Sequence, residues 1–244
     1  MEFLTPFYNE PSDLISISAD QGATFAQDIA GDFNPIHYPD SKRFCVPGDL
    51  LFSIALSKYG LHQEMQFEFL DMVKAGVHLR YPDALNDGKA MVSYAVDGAA
   101  EGKSVLAVTA TGNRSLEANN VEGLIKKYVA FSGHNFPHIL QPLMQTNNVM
   151  INPSRPLVIY QSMSFSLDRL DFKTLQINLD SASMEIDGKR GDAVLKFAFT
   201  DNGSTIGAGE KKLVLSGLRP YDGEIMDGLV QEYMTRANSR EGES

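Results

Sequence analysis

The sequence predicts an α+β chain of two tandem halves, each an antiparallel sheet curled around a buried helix. Three observations carry this expectation. Strand-like alternation comes in two blocks, each preceded by helix-like sequence. Residues 50–59 read as a helix that is apolar nearly all round, and a helix without a polar face is buried on most sides. Helix-like stretches at 21–30 and 121–131 are each followed by small, asparagine and proline residues, which reads as a weak internal repeat whose second copy has decayed.

Taken in order, residues 21–30 form the first helix. Residues 50–59, Leu-Leu-Phe-Ser-Ile-Ala-Leu-Ser-Lys-Tyr, form the apolar one, with Gly60 closing it as a C′ residue. Strands follow over 72–81, 89–96 and 103–111, parted by turns at Asn86-Asp87-Gly88 and Ala100-Glu101-Gly102. After the helix at 121–131, Met163, Phe165 and Leu167 alternate with serines. Leu175, Ile177 and Leu179 alternate with polar residues, and so do Leu195, Phe197 and Phe199. The turns Asp187-Gly188 and Asp201-Asn202-Gly203 are hairpin signals. An antiparallel sheet wrapped around a greasy helix is the hotdog architecture, and two copies in tandem suit 244 residues better than one. The expected division is a first hotdog over 1–118, a degenerate second over 119–221, and a closing helix at 225–237 with a charged tail over 222–244.

Composition removes several classes of function. Hydrophobic residues make up 43% and charged residues 21%, enough for a sizeable core. The net charge of −10, with no basic run longer than two, disfavours nucleic acid. The lone Cys45 can form no internal disulfide, and no ligand cluster points to a metal or a cofactor. The first residues lack a basic and an apolar region, and no apolar run reaches the ~18–20 residues of a membrane span, so a cytoplasmic location is expected.

Chemistry concentrates in Gly31-Asp32-Phe33-Asn34-Pro35-Ile36-His37. A pattern this specific arises by chance on the order of once in ten million start positions. Pro35 fixes its own φ and pushes Asn34 out of helical geometry, so the chain turns here. Asn34 is suited to hold that turn by bonding its own backbone.

This run resembles the signature of the MaoC-like (R)-specific enoyl-CoA hydratases, the hydratase 2 group, which are hotdog proteins. The resemblance covers roughly residues 16–60 and continues in Val46-Pro47-Gly48-Asp49-Leu50-Leu51, where those enzymes carry a glycine at the start of their central helix. Over its whole length the chain looks closer to uncharacterised bacterial proteins with the blocks Lys42-Arg43-Phe44-Cys45-Val46-Pro47-Gly48, Arg155-Pro156-Leu157-Val158-Ile159-Tyr160 and Ser216-Gly217-Leu218-Arg219-Pro220-Tyr221.

The hydratase resemblance implies reversible addition of water to a 2-enoyl thioester of CoA or a carrier protein. One carboxylate and one imidazole holding the same water suit that chemistry, which casts Asp32 and His37 as the acid/base pair. By analogy with the hydratases, the Gly48 N–H at the positive end of the apolar helix holds the thioester oxygen. Asn34 shapes the binding loop, and Lys42 and Arg43, beside the site, are suited to the phosphates of the carrier arm.

The flanks depart from the hydratase pattern. Pro39 and Arg43 stand where those enzymes have an acid and a small residue, Asp40 comes one place late, and Pro47 replaces a histidine. Two rival readings therefore stay open: a hotdog thioesterase acting through Asp49, and an acyl-binding protein without turnover. Asp49 also has a plain reading, as a helix-start acid facing the dipole. Cys45 is either a buried small residue or part of the pocket wall. His62, His78, His134 and His138 read as structural, and the pairs Lys126-Lys127, Lys189-Arg190 and Lys211-Lys212 as solvated surface. A homodimer is expected, since sheet edges commonly pair.

Overall fold

A computed structural model describes residues 1–96 and 101–241. The first half runs β1 (Ile15–Ser16), α1 (Ala19–Thr24), α2 (Gly48–Tyr59), β2 (Leu61–Phe69), β3 (His78–Arg80), β4 (Lys89–Ala95) and β5 (Glu101–Ser115). The second half opens with α3 (Ala118–Gly133) and α4 (Gln141–Thr146). It continues with β6 (Val149–Met150), β7 (Val158–Leu167), β8 (Leu175–Asp187), β9 (Arg190–Asp201), β10 (Ser204–Ser216) and β11 (Arg219–Pro220), and closes with α5 (Gly223–Glu241).

Nine strands form one antiparallel sheet in the order β1-β3-β4-β5-β2-β7-β10-β9-β8, and β6 pairs separately with β11. Strands 5, 4 and 3 on one side of the central β2–β7 pair match strands 10, 9 and 8 on the other. The two hotdog sheets therefore join edge to edge rather than standing apart. Their seam has Met65 opposite Phe165 and Phe67 opposite Met163, all buried.

α2 is the buried helix. Leu50 to Leu56 are buried without interruption, and Phe52 meets Phe67 of the sheet edge-on at 4.9 Å and Tyr128 of α3 at the same distance. In α3 only one stripe is buried (Val121, Leu124, Ile125, Tyr128, Val129, Ser132), with Tyr128 against Phe197. α4 follows α3 in the chain as α2 follows α1, but it spans six residues against the twelve of α2.

Some expected elements shift. The strand expected over 72–81 shrinks to β3, because Lys74-Ala75-Gly76 turns there and Gly76 takes a left-handed φ of +73° that extended backbone does not allow. β2, the strand at the seam, was not among the expected elements, although Met65, Phe67 and Phe69 alternate with Gln66 and Glu68. The hairpin signals Asn86-Asp87-Gly88 and Asp201-Asn202-Gly203 hold: each Gly and the residue before it has positive φ, as a two-residue primed turn requires. Ala100 of the third expected turn lies outside the described residues, as do 242–244 of the tail. No described helix is long and apolar enough to cross a membrane.

Candidate functional site

The loop carrying Asp32 is set up by the helix before it. Ser18 and Gln21 close a reciprocal cap at the start of α1 (3.1 and 3.0 Å). The helix then widens into a π-turn over Phe25–Ala30, and Gly31 ends it at φ +65°. The Asp32 N–H donates back to Ala26 O at 2.8 Å. Single π-turns of this kind gather at functional sites.

Asp32 is then fixed atom by atom. Its Oδ1 accepts the Asn34 N–H at 2.9 Å, which leaves Oδ2 to face His37 Nε2 at 3.6 Å. Asn34 Oδ1 accepts the Ile36 N–H at 3.2 Å and caps the 3-10 turn Pro35–His37 that Pro35 opens. The other ring nitrogen, His37 Nδ1, lies 2.7 Å from the Cys45 carbonyl. A carbonyl can only accept, so Nδ1 carries a proton and Nε2 is the nitrogen that faces Asp32.

Both side chains are only slightly exposed, His37 at 12% and Asp32 at 15%. Burial raises the Asp32 pKa above the usual carboxylate range, and His37 and the Asn34 N–H pull partly the other way. The separation of 3.6 Å is too long for a direct hydrogen bond but suits two groups that share one water.

Asp32, Asn34, His37, Cys45 and Gly48 all line one pocket of about 120 Å³. That is room for on the order of ten waters. Phe136, Leu140, Ile151, Val158 and Leu213 of the second half line it with apolar side chains, as do Leu229 and Tyr233 of α5. Gly48 is the first residue of α2, where N–H groups have no intrahelical partner. A Cβ there would stand 2.9 Å from the Tyr160 ring and 3.2 Å from Phe69, so glycine is also what lets those rings close over the helix start. Lys42 and Arg43 lie outside the pocket wall, exposed on the loop between His37 and α2.

At the pocket wall sits a polar network whose only local sign in the sequence is the strand parity of Lys211. Asp49 is 3% exposed, and its Oδ2 accepts the Ser132 hydroxyl at 2.5 Å and the Tyr160 hydroxyl at 2.9 Å. Lys211, 0% exposed, donates to Ser132 Oγ, and its ammonium stands over the Tyr160 ring, 3.3 Å from the centroid. Burial pulls the Lys211 pKa down to about 8 against the attraction of Asp49 and Asp32. The surface reading of Lys211-Lys212 is thus corrected for Lys211. It shares the inward parity of Leu213 and Leu215 on β10, and only Lys212 points out.

The segments around Ala30 and Gly133 meet at the site. A Cβ on Gly133 would lie 1.8 Å from the Ala30 carbonyl, so the backbones touch where only glycine fits. The Tyr233 hydroxyl bridges Gly31 O at 2.8 Å and Gly133 O at 2.7 Å, tying α5 to both copies. His134 and His138 are exposed and form no second acid/base pair. Among the described residues, no group of three or more His, Cys, Asp or Glu could hold a metal ion.

No curated protein matches the sequence. Among solved structures, the chain is similar to the tesB protein of Mycobacterium avium subs paratuberculosis, at 8% identity and a TM-score of 0.45, over 88% of this chain and 98% of that one. It is similar to a conserved protein of unknown function with hot dog fold from Alicyclobacillus acidocaldarius, at 8% identity and a TM-score of 0.44, over 91% and 99%. It is also similar to the dehydratase domain of PpsC from Mycobacterium tuberculosis, in complex with C12:1-CoA, at 12% identity and a TM-score of 0.36, over 70% and 86%. One family matches residues 2–224, nearly the whole chain, and the protein belongs to it: the family described as "Protein of unknown function (DUF3581)".

Proposed function

We propose that this protein is a hydratase/dehydratase of acyl thioesters, adding water to, or removing it from, a 2-enoyl thioester of CoA or a carrier protein. The observation that carries the reading is the Asp32–His37 pair, 3.6 Å apart in one pocket beside the amino end of α2. A water held by both groups loses a proton as its oxygen bonds to the β-carbon. The α-carbon takes up a proton, and the π electrons of the double bond form the new C–H bond. His37 Nε2 offers the base, and the raised pKa of Asp32 suits it to carry a proton back. The first-turn N–H of Gly48 faces the negative charge that builds on the thioester oxygen. Lys42 and Arg43 meet the phosphates of the carrier arm at the surface, and the active form is a homodimer.

The tie of Asp49 to Ser132, Tyr160 and Lys211 favours hydration over thioester cleavage. Asp49 Oδ2 is held by the Ser132 and Tyr160 hydroxyls, and the residue is absent from the pocket wall. Incubation with crotonyl-CoA separates the readings: the reading expects loss of the enoyl absorbance without release of free thiol. Thiol release at the same rate would replace it with a thioesterase, and tight binding with no chemistry would replace it with an acyl-binding role.

A further inference from the structure

We infer that Tyr233 and Tyr38 are positioning residues that hold Asp32 toward His37, an inference that rests on the hydratase reading above. The two phenols grip the peptide carbonyls on either side of Asp32. The Tyr233 hydroxyl donates to Gly31 O at 2.8 Å, shared with Gly133 O at 2.7 Å. The Tyr38 hydroxyl donates to Phe33 O at 2.8 Å. Both tyrosines line the pocket that Asp32 and His37 line.

Each phenol controls a different part of the aspartate. Gly31 takes a φ of +65°, and without a Cβ its backbone is the freest in the loop. A turn of the Gly31–Asp32 peptide would swing the carboxylate off its 3.6 Å approach to His37 Nε2. That peptide is tied at both ends, its N–H to Ala26 O at 2.8 Å and its C=O to Tyr233. The Phe33–Asn34 peptide is tied in the same way. Its C=O is held by Tyr38, and its N–H is the one that binds Asp32 Oδ1 at 2.9 Å. Tyr233 thus sets the backbone of Asp32, and Tyr38 sets the donor that orients its side chain.

The phenols are themselves braced. Tyr233 is buried and meets Phe33 edge-on at 5.6 Å and Phe136 at 5.7 Å. Three residues further along α5, Arg236 lies 4.7 Å over the Tyr38 ring and pairs with Glu232 at 3.0 Å. Burial raises both phenol pKa values, that of Tyr38 to about 12, so both stay protonated donors near neutral pH. A misplacement of about 1 Å at a reacting group can cost on the order of 100-fold in rate.

The test measures kcat and KM for hydration of crotonyl-CoA in wild type, Tyr233→Phe and Tyr38→Phe. Each phenylalanine variant is also made on an Asp32→Asn background. Phenylalanine keeps the ring and its packing and removes only the hydroxyl. Each variant is expected to lower kcat at least about tenfold while KM stays within about threefold. On the Asp32→Asn background neither is expected to lower kcat further by more than about twofold, because its effect runs through Asp32. A hydroxyl that only supports the fold would cost the same factor on both backgrounds, and that result overturns the inference. Wild-type kcat in both variants overturns it too and leaves the hydratase reading standing. Should Tyr233→Phe fail to fold, Tyr38→Phe on the two backgrounds decides alone. Thr235→Ala, exposed on the same helix, is the control and is expected to keep wild-type kcat. A wild type that does not hydrate crotonyl-CoA overturns the hydratase reading, and this inference with it.

Discussion

Replacing Lys211 by Met tests the buried network most sharply. The change removes an ammonium that is 0% exposed and leaves Asp49, 3% exposed, with two hydroxyl partners and no cation. The two groups form no direct ion pair: Ser132 Oγ stands between them, donating to Asp49 and accepting from Lys211. The lowered Lys211 pKa means that burying this charge costs more than the two carboxylates return, on the order of 3 kcal/mol at pH 7, so Lys211→Met is expected to melt no lower than wild type. Asp49→Asn leaves the ammonium buried without that carboxylate and is expected to lower stability by about 1–3 kcal/mol, roughly 2–12 °C in Tm, and the double variant to depart from additivity by about 1 kcal/mol or more. Urea unfolding of all four proteins closes the cycle. pH adds a second reading. With its pKa at about 8 when folded and 10.5 when unfolded, Lys211 binds its proton more weakly in the folded chain. Wild type therefore gains stability as pH rises from 8 to 10.5, on the order of 3 kcal/mol from this group, and Lys211→Met does not. Additive single effects, or a loss above ~2 kcal/mol at pH 7 for Lys211→Met, would refute this account of the network.

Three further outcomes follow from the same geometry. Gly133→Ala drives a Cβ to 1.8 Å from the Ala30 carbonyl. It is expected to cost about 4 kcal/mol or more, whereas Gly228→Ala on α5, with nothing within 4 Å, gains about 0.5–1 kcal/mol, both read by thermal melts. Asp32→Asn removes a carboxylate whose pKa is raised on folding, so at pH 7 the variant melts higher than wild type, and the gain fades toward pH 3, where the carboxyl is protonated in both states. A lower melting point at pH 7 would show that the charge stabilises the loop. Burial pushes the Cys45 thiol up to about 12, so alkylation at pH 8 is expected to be far slower than that of a free thiol, and fast labelling of the native protein would contradict its burial.

What was legible in the sequence was what is local. The seven residues from Gly31 to His37 hold their own turn through Asp32, Asn34 and Pro35, so their spacing alone implied it. The helix expected over 50–59 starts two residues earlier, at Gly48, because Pro47 and Gly48 carry no apolar signal although Pro47 opens the first turn. β2 is written in alternation but starts directly after Gly60, so no turn separates it from the end of the helix. The network was hidden for another reason: Asp49, Ser132, Tyr160 and Lys211 come from two helices and two strands far apart in the sequence and meet only once the chain is folded. Lys211 alone had a sign, its inward parity beside Leu213 and Leu215. Tyr38 and Tyr233 had none, since the carbonyls they hold are set only once the chain is folded.

The central claim is that the carboxylate of Asp32 and the imidazole of His37 work together on one substrate. The direct measurement is kcat/KM for hydration of crotonyl-CoA by wild type, Asp32→Asn, His37→Gln and the double variant. Each single change is expected to lower it by at least about 100-fold, with the double variant hardly slower than either single one, as for groups acting as a unit. Full activity in Asp32→Asn, or single losses that multiply in the double variant, would contradict the account.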